Sequence, residues 1–194
     1  MMSISNDESV DVGDRILAAA ASCVSDFGVE RVTLAEIARR AGVSRPTVYR
    51  RWPDTRAILA SLLTERITGA WREAPSSATG REALVQRIVG VADRLRRDDL
   101  IRTVLRSEPE LAMVYITGRL GTSQQIVIDL VADELRKAQS NNTVRAGDPR
   151  QLAAMVLLIT QSAIQSAQIV EPILDPDALT TELDHALNGY LRND

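Results

Sequence analysis

The chain holds 194 residues, 45% of them hydrophobic and 25% charged, and its 23 basic and 26 acidic side chains leave a net charge of −3. This is the composition of a soluble protein with a core, and it excludes a chain that coats nucleic acid along its whole length; any basic site has to be local. One cysteine, Cys23, and one histidine, His185, exclude an internal disulfide and a cysteine-type zinc centre, and leave little for imidazole catalysis.

Residues 1–10 are polar and are expected to form a disordered arm. Asp7, Glu8, Asp11 and Asp14, with no lysine or arginine beside them, have the wrong sign for a secretory leader. Helical spacing begins with Ile16, Ala20, Val24 and Phe27, one face of a first helix that Gly28 ends. Thr33-Leu-Ala-Glu36 reads as a capping box, in which Thr33 accepts the orphan N–H near Glu36 and the Glu36 side chain reaches back. Leu34, Ile37, Ala38 and Ala41 form the inward face of a short second helix stopped by Gly42. Ser44 caps a third, where Pro46 is tolerated because first-turn N–H groups have no helical partner. Trp52-Pro53-Asp54 ends it. Asp54 caps a fourth helix, running to about Trp71 on Ile58, Leu59, Leu62, Leu63, Ile67 and Ala70.

Beyond a break at 75–80 the spacing predicts helices over 81–97, 99–106, 109–117, 119–139, 149–170 and 176–191. No alternating strand and no fixed-period repeat is present. The expected fold class is all-α, a three-helix head and a larger helical body. From Gln151 to Val170 there is no charge, but seven residues are polar and the longest apolar run is Leu152 to Ile159. A bilayer span needs ~20 predominantly apolar residues, so the stretch reads as a helix buried in protein on more than one side, and the chain as cytoplasmic.

The second and third helices, joined by Ala41-Gly42-Val43-Ser44, make a helix-turn-helix. Ala38 and Ala41 allow the helices to approach, Gly42 makes the turn, and Val43 and Val48 plug the space between them. The segment 27–59, FGVERVTLAEIARRAGVSRPTVYRRWPDTRAIL, resembles the DNA-binding head of the TetR family of bacterial transcriptional regulators. The resemblance rests on Phe27-Gly28, Thr33-x-x-Glu36-Ile37-Ala38, Ala41-Gly42-Val43-Ser44 and Thr47-Val48-Tyr49-x-x-Trp52-Pro53. Charge agrees: residues 31–56 carry seven arginines against Glu36 and Asp54, a local +5.

The resemblance implies a DNA-binding domain over 11–56 and an effector-binding and dimerisation domain over 57–194. Helix geometry and the resemblance together assign DNA roles. Thr33 sits at a helix N-terminus suited to a phosphate. Arg45, Pro46 and Thr47 open the recognition helix, with Thr47 directed to a thymine methyl or a phosphate. Arg50 is placed to fork onto guanine, and Tyr49 and Arg51 to bind phosphates. Trp52 reads as packing the head on the fourth helix, and Arg39 and Arg40 equally as DNA contacts or a solvated face. Where the family commonly has a lysine early in the fourth helix, this chain has Thr55, and Arg56 is the replacement contact.

For the body, the resemblance implies an operator-binding homodimer and a small apolar or amphiphilic effector, with no metal or other cofactor. The expected dimer residues are Ile126, Leu130, Ala153, Ala163, Ser166 and Ala167. The expected pocket residues are Trp71, Leu84, Ile88, Leu105, Met113, Tyr115, Ile116 and Met155. Arg94, Arg96, Arg97, Arg102 and Arg106 read as an anionic head-group site or as a face paired with Asp93, Asp98 and Asp99. A non-enzymatic regulator, most simply a repressor, is the expected function. A helical adaptor acting through protein contacts alone is the rival, and Arg45, Tyr49, Arg50 and Arg51 argue against it.

Overall fold

A computed structural model of the chain describes residues 5–74, 79–107 and 121–193. Among these, nine α-helices and one 3-10 turn make up all the regular structure. They are α1 Ser5–Phe27, the turn Val29–Arg31, α2 Leu34–Ala41, α3 Arg45–Arg51, α4 Thr55–Glu73, α5 Arg81–Arg97, α6 Asp99–Ser107, α7 Thr122–Ser140, α8 Pro149–Val170 and α9 Pro176–Leu191. The helix expected at 109–117 lies outside the described residues.

Local chemistry sets the boundaries. Thr33 accepts the Glu36 N–H at 3.2 Å and Asp54 the Ala57 N–H at 2.8 Å. Asp148 and Asp175 each accept two N–H groups at the starts of α8 and α9, each just ahead of a proline. Gly42 takes φ 65° at the end of α2, and the N–H of Val43 returns to the Ala38 carbonyl at 3.1 Å. That left-handed step is what allows α3 to leave at an angle, and a side chain there would strain it.

The helices group into two compact units. One holds the chain up to Glu65 together with α6; the other holds Arg66–Asp98 and α7 to α9. The chain therefore passes between units inside α4, at Glu65–Arg66, and again at Asp98–Asp99. α6, read from sequence as part of the body, belongs with the head because Leu100 and Val104 bury themselves in the head core. The centre of that core is Ile16, Ala20, Cys23, Val24, Ile37, Val48, Ile58 and Leu62, all at most 1% exposed. Ile37→Ala removes a buried side chain with no room for its neighbours to collapse. It should cost ~2–5 kcal/mol of head stability, read by urea denaturation.

Phe27 departs from the expected face. It is 41% exposed, and its ring is covered by the Arg40 guanidinium, 4.6 Å above its centroid. The 3-10 turn that follows carries Val29 into the core instead, at 5% exposure. In the second unit, α8 is long and apolar enough to cross a membrane by length and composition alone. It was expected to be buried on more than one side. It buries Leu152, Ala153, Val156 and Ala167, and only 17% of its most apolar window is enclosed. The reason is that α5, α7 and α9 cover one side of the helix only, leaving the opposite side exposed.

Candidate nucleic-acid interface

The recognition surface is built from α2, the turn and α3. Val48 is fully buried, which turns the other faces of α3 outward: Arg45, Pro46, Tyr49, Arg50 and Arg51 are exposed, Tyr49 by 52%. Thr47 is half-buried, and its hydroxyl lies 2.7 Å from that of Ser44, which also accepts the Thr47 N–H at 3.3 Å. The cap therefore holds Thr47 by its hydroxyl and ties down the first turn of α3. Thr33 is exposed at the start of α2, and Arg56 on the first turn of α4. Trp52 packs on α4, its indole N–H donating to Ser61 at 2.8 Å.

The arginines divide into two groups. Arg39 forks onto Glu36 at 2.8 and 2.6 Å. Arg40 donates to Glu36 at 3.0 Å, to Ser22 at 2.8 Å and to Asp26 at 2.5 Å, stitching α2 to α1. These two are structural and spend their charge inside the head. Arg45, Arg50 and Arg56 make no ion pair among the described residues. Arg51, expected on a phosphate, points elsewhere: its guanidinium lies over α1, so close that a Cβ at Gly13 would stand 2.7 Å from it. The absence of a side chain at Gly13 makes that seat possible.

Glu36 was expected to reach back to its cap. Its carboxylate is instead held by Arg39 and Arg40, so only the Thr33 half of the capping box forms. Two guanidiniums offer stronger, charge-assisted bonds than one backbone N–H. Their hydrogen bonds, Arg39 first, hold the Glu36 carboxyl at about 2 against an ordinary 4.5. The folded state binds that proton more weakly than the unfolded chain, so the contribution is present above pH 4.5 and is lost as pH falls towards 2. Glu36→Gln should flatten the fall in stability across that window, as measured by denaturant midpoints at successive pH values.

One member of the site carries no sequence signal. Arg15 on α1 donates to the Ala41 carbonyl at 2.7 Å, holding the C-terminal end of α2 next to the turn. A cation at a helix C-terminus also meets the negative end of the helix dipole. The pairing joins residues 26 apart, beyond any local pattern.

The expected body residues do not come together. Leu84 and Ile88 are core, Trp71 is buried under Arg87 at 4.2 Å, and Leu105 sits on α6 in the first unit. Met155 is 42% exposed on the outer side of α8, and Met113, Tyr115 and Ile116 lie outside the described residues. Ala153 is fully buried and Ala167 nearly so, inside their own chain, so neither offers surface to a partner. Ile126, Leu130, Ala163 and Ser166 are half-buried. Cys23 lies in the head core, where burial raises its thiol pKa, and among the described residues no group of three or more His, Cys, Asp or Glu can hold a metal.

A capped helix pair with a buried plug at Val48 and an outward basic helix face defines a helix-turn-helix DNA-binding regulator. Residues 16–62 match the family model of bacterial regulatory proteins of the tetR family. An HTH-type transcriptional regulator of Mycobacterium bovis is 66% identical over 191 residues, 98% of this chain and 100% of that protein. The regulator AqdR of Rhodococcus erythropolis is 36% identical over 67 residues, 34% of this chain and 31% of that protein. Among solved structures, the R. erythropolis repressor QsdR superposes with a TM-score of 0.70 at 20% identity, covering 94% of this chain and 97% of its own. RolR in complex with resorcinol does so with a TM-score of 0.69 at 15% identity, covering 97% and 91%. These last two share the fold. The chain belongs to the TetR family of transcriptional regulators and is not an enzyme.

Proposed function

We propose that this chain is a cytoplasmic, ligand-responsive repressor that binds a two-fold DNA operator as a homodimer. The observation that carries the DNA reading is the outward face of α3, where Arg45, Pro46, Tyr49 and Arg50 are exposed around a buried Val48. Arg50 reads base edges, Tyr49 and Arg45 fix the helix on phosphates, and Thr33 and Arg56 hold the flanking backbone. Thr47 approaches the groove through its methyl group, since its hydroxyl is bonded to the Ser44 cap. Arg51 supports α1 and contributes to DNA binding through position.

The dimer reading rests on the outer side of α8. Gln151, Met155, Leu158, Ser162 and Ile169 recur at helical spacing and are all exposed, Leu158 by 58% and Ile169 by 79%. An uncharged, largely apolar stripe of this length is costly in water and cheap against a second copy. A two-fold pair also presents two recognition helices to one operator.

The effector reading rests on the division of the chain. α4 runs unbroken from the first unit into the second, and α5 and α6 meet at Asp98–Asp99 on the same boundary. A small apolar or amphiphilic molecule bound in the second unit acts on the head through these two connections, by preferring the state that cannot hold both half-sites. The neighbour RolR, solved with resorcinol, is an example of the fold holding a small molecule. Selection of the protein's sites from randomised duplexes tests the whole reading. It should return a two-fold symmetric sequence with half-sites ~34–36 Å apart, or a multiple of this. Recovery of no enriched sequence would overturn it.

A further inference from the structure

We infer that the second unit carries a binding cleft for a medium-chain carboxylate between α5, α8 and α9, with Arg96 as its head-group ligand. The inference rests on the effector reading only for its consequence at the operator, not for the binding itself. The cleft has an apolar floor of Val89, Ala92, Ala163, Ile164 and Leu183, and a charged mouth of Asp93 and Arg96. None of these residues belongs to the pocket expected from sequence. Its free volume is about 10 Å³, on the scale of one water, within about 250 Å³ that includes the solvent-open mouth. At ~30 Å³ per liquid-packed group, the larger figure matches a chain of about eight carbons. Occupancy therefore requires α9 or the Arg96 side chain to swing outward.

Charge at the mouth selects the head group. Asp93 is bonded by Arg96, and also by Arg97 at 3.1 Å. Two guanidiniums face one carboxylate, so the cluster is one positive charge in excess. Arg97 is well solvated, its side chain 63% exposed, and neutralises Asp93 by itself. Arg96 is different: its side chain is 16% exposed and lies against an apolar floor. A guanidinium so placed loses hydration that a single shared carboxylate does not restore. Its five donors can serve Asp93 and a second carboxylate together, and that second anion brings the cluster to neutrality. An alkyl tail then covers the floor while the head stays at the mouth. Neighbouring charges do not compete: Arg94 is taken by Glu73 at 2.8 Å, and Asp98 faces Arg66 at 3.9 Å.

The test is calorimetric titration of the full chain with octanoate, against octanol as the uncharged control, with operator binding measured on the same samples. Octanoate should bind the wild type, and both octanol on the wild type and octanoate on Arg96→Gln should be weaker by about tenfold or more. Arg97→Gln should leave octanoate affinity within about twofold, as expected for a well-solvated charge. Ala163→Leu, which fills the floor, should abolish binding while thermal unfolding shows the chain folded. Absence of octanoate binding, equal affinity for octanol, or full affinity in Arg96→Gln would each overturn the cleft. A chain that holds its operator but not octanoate refutes the cleft alone. A chain that binds octanoate as described but no operator refutes the regulator reading alone.

Discussion

Leu158→Asp should convert the protein from a dimer to a monomer. Leu158 is 58% exposed at the middle of the uncharged stripe on α8, between Met155 and Ser162. In a two-fold pair the same residue faces the interface from both copies, so one substitution places two carboxylates in the seam. Neither finds a cation: α8 carries no charged side chain from Gln151 to Val170. The cost is several kcal/mol per buried ion, so ~4 kcal/mol or more against association, about three decades in the dimer constant. Because Leu158 is not part of the chain's own core, the monomer should remain folded, with the helical content of the wild type. Sedimentation at micromolar concentration separates the two species. A wild type that sediments as a monomer would remove the homodimer from the account.

The second large effect is at the recognition helix. Arg50→Ala should weaken operator binding by ~1–3 kcal/mol, roughly five- to 150-fold, and relax the base preference at one position of each half-site. Arg45→Ala removes a phosphate contact, and should lower affinity for all duplexes alike and reduce the salt slope by about one. Arg39→Ala is the internal comparison. Its guanidinium is committed to Glu36, so it should act on head stability and leave base preference alone.

Much of this was legible in the chain because helix boundaries are written in local chemistry. Thr33, Ser44, Asp54, Asp148 and Asp175 cap where hydroxyl or carboxylate residues precede apolar spacing, and Gly42 turns where only glycine is cheap. The inward face of α2 and the plug at Val48 follow from spacing of three and four. What was not legible depends on choices between partners. Glu36 had three cations or donors within reach, and spacing does not say that Arg39 and Arg40 win over its own cap. Arg15 and Gly13 are 26 and 38 positions from the groups they meet, so no local pattern announces them. On α8, apolar spacing marks residues that avoid water without saying whose surface covers them. Ala153 and Leu158 read alike in sequence, yet one is sealed in its own chain and the other is exposed.

The claim at the centre is that the exposed face of α3 is a DNA-reading surface. It is tested most directly by fluorescence anisotropy of a labelled operator duplex, titrated with wild type and Arg50→Ala over a series of salt concentrations, with a scrambled duplex alongside. The account predicts that wild type prefers the operator over the scrambled duplex by ~10³-fold or more, with affinity falling steeply as salt rises. Arg50→Ala should lose part of that preference while keeping its affinity for the scrambled duplex. Equal binding of both duplexes by wild type, or an unchanged preference in Arg50→Ala, would contradict it.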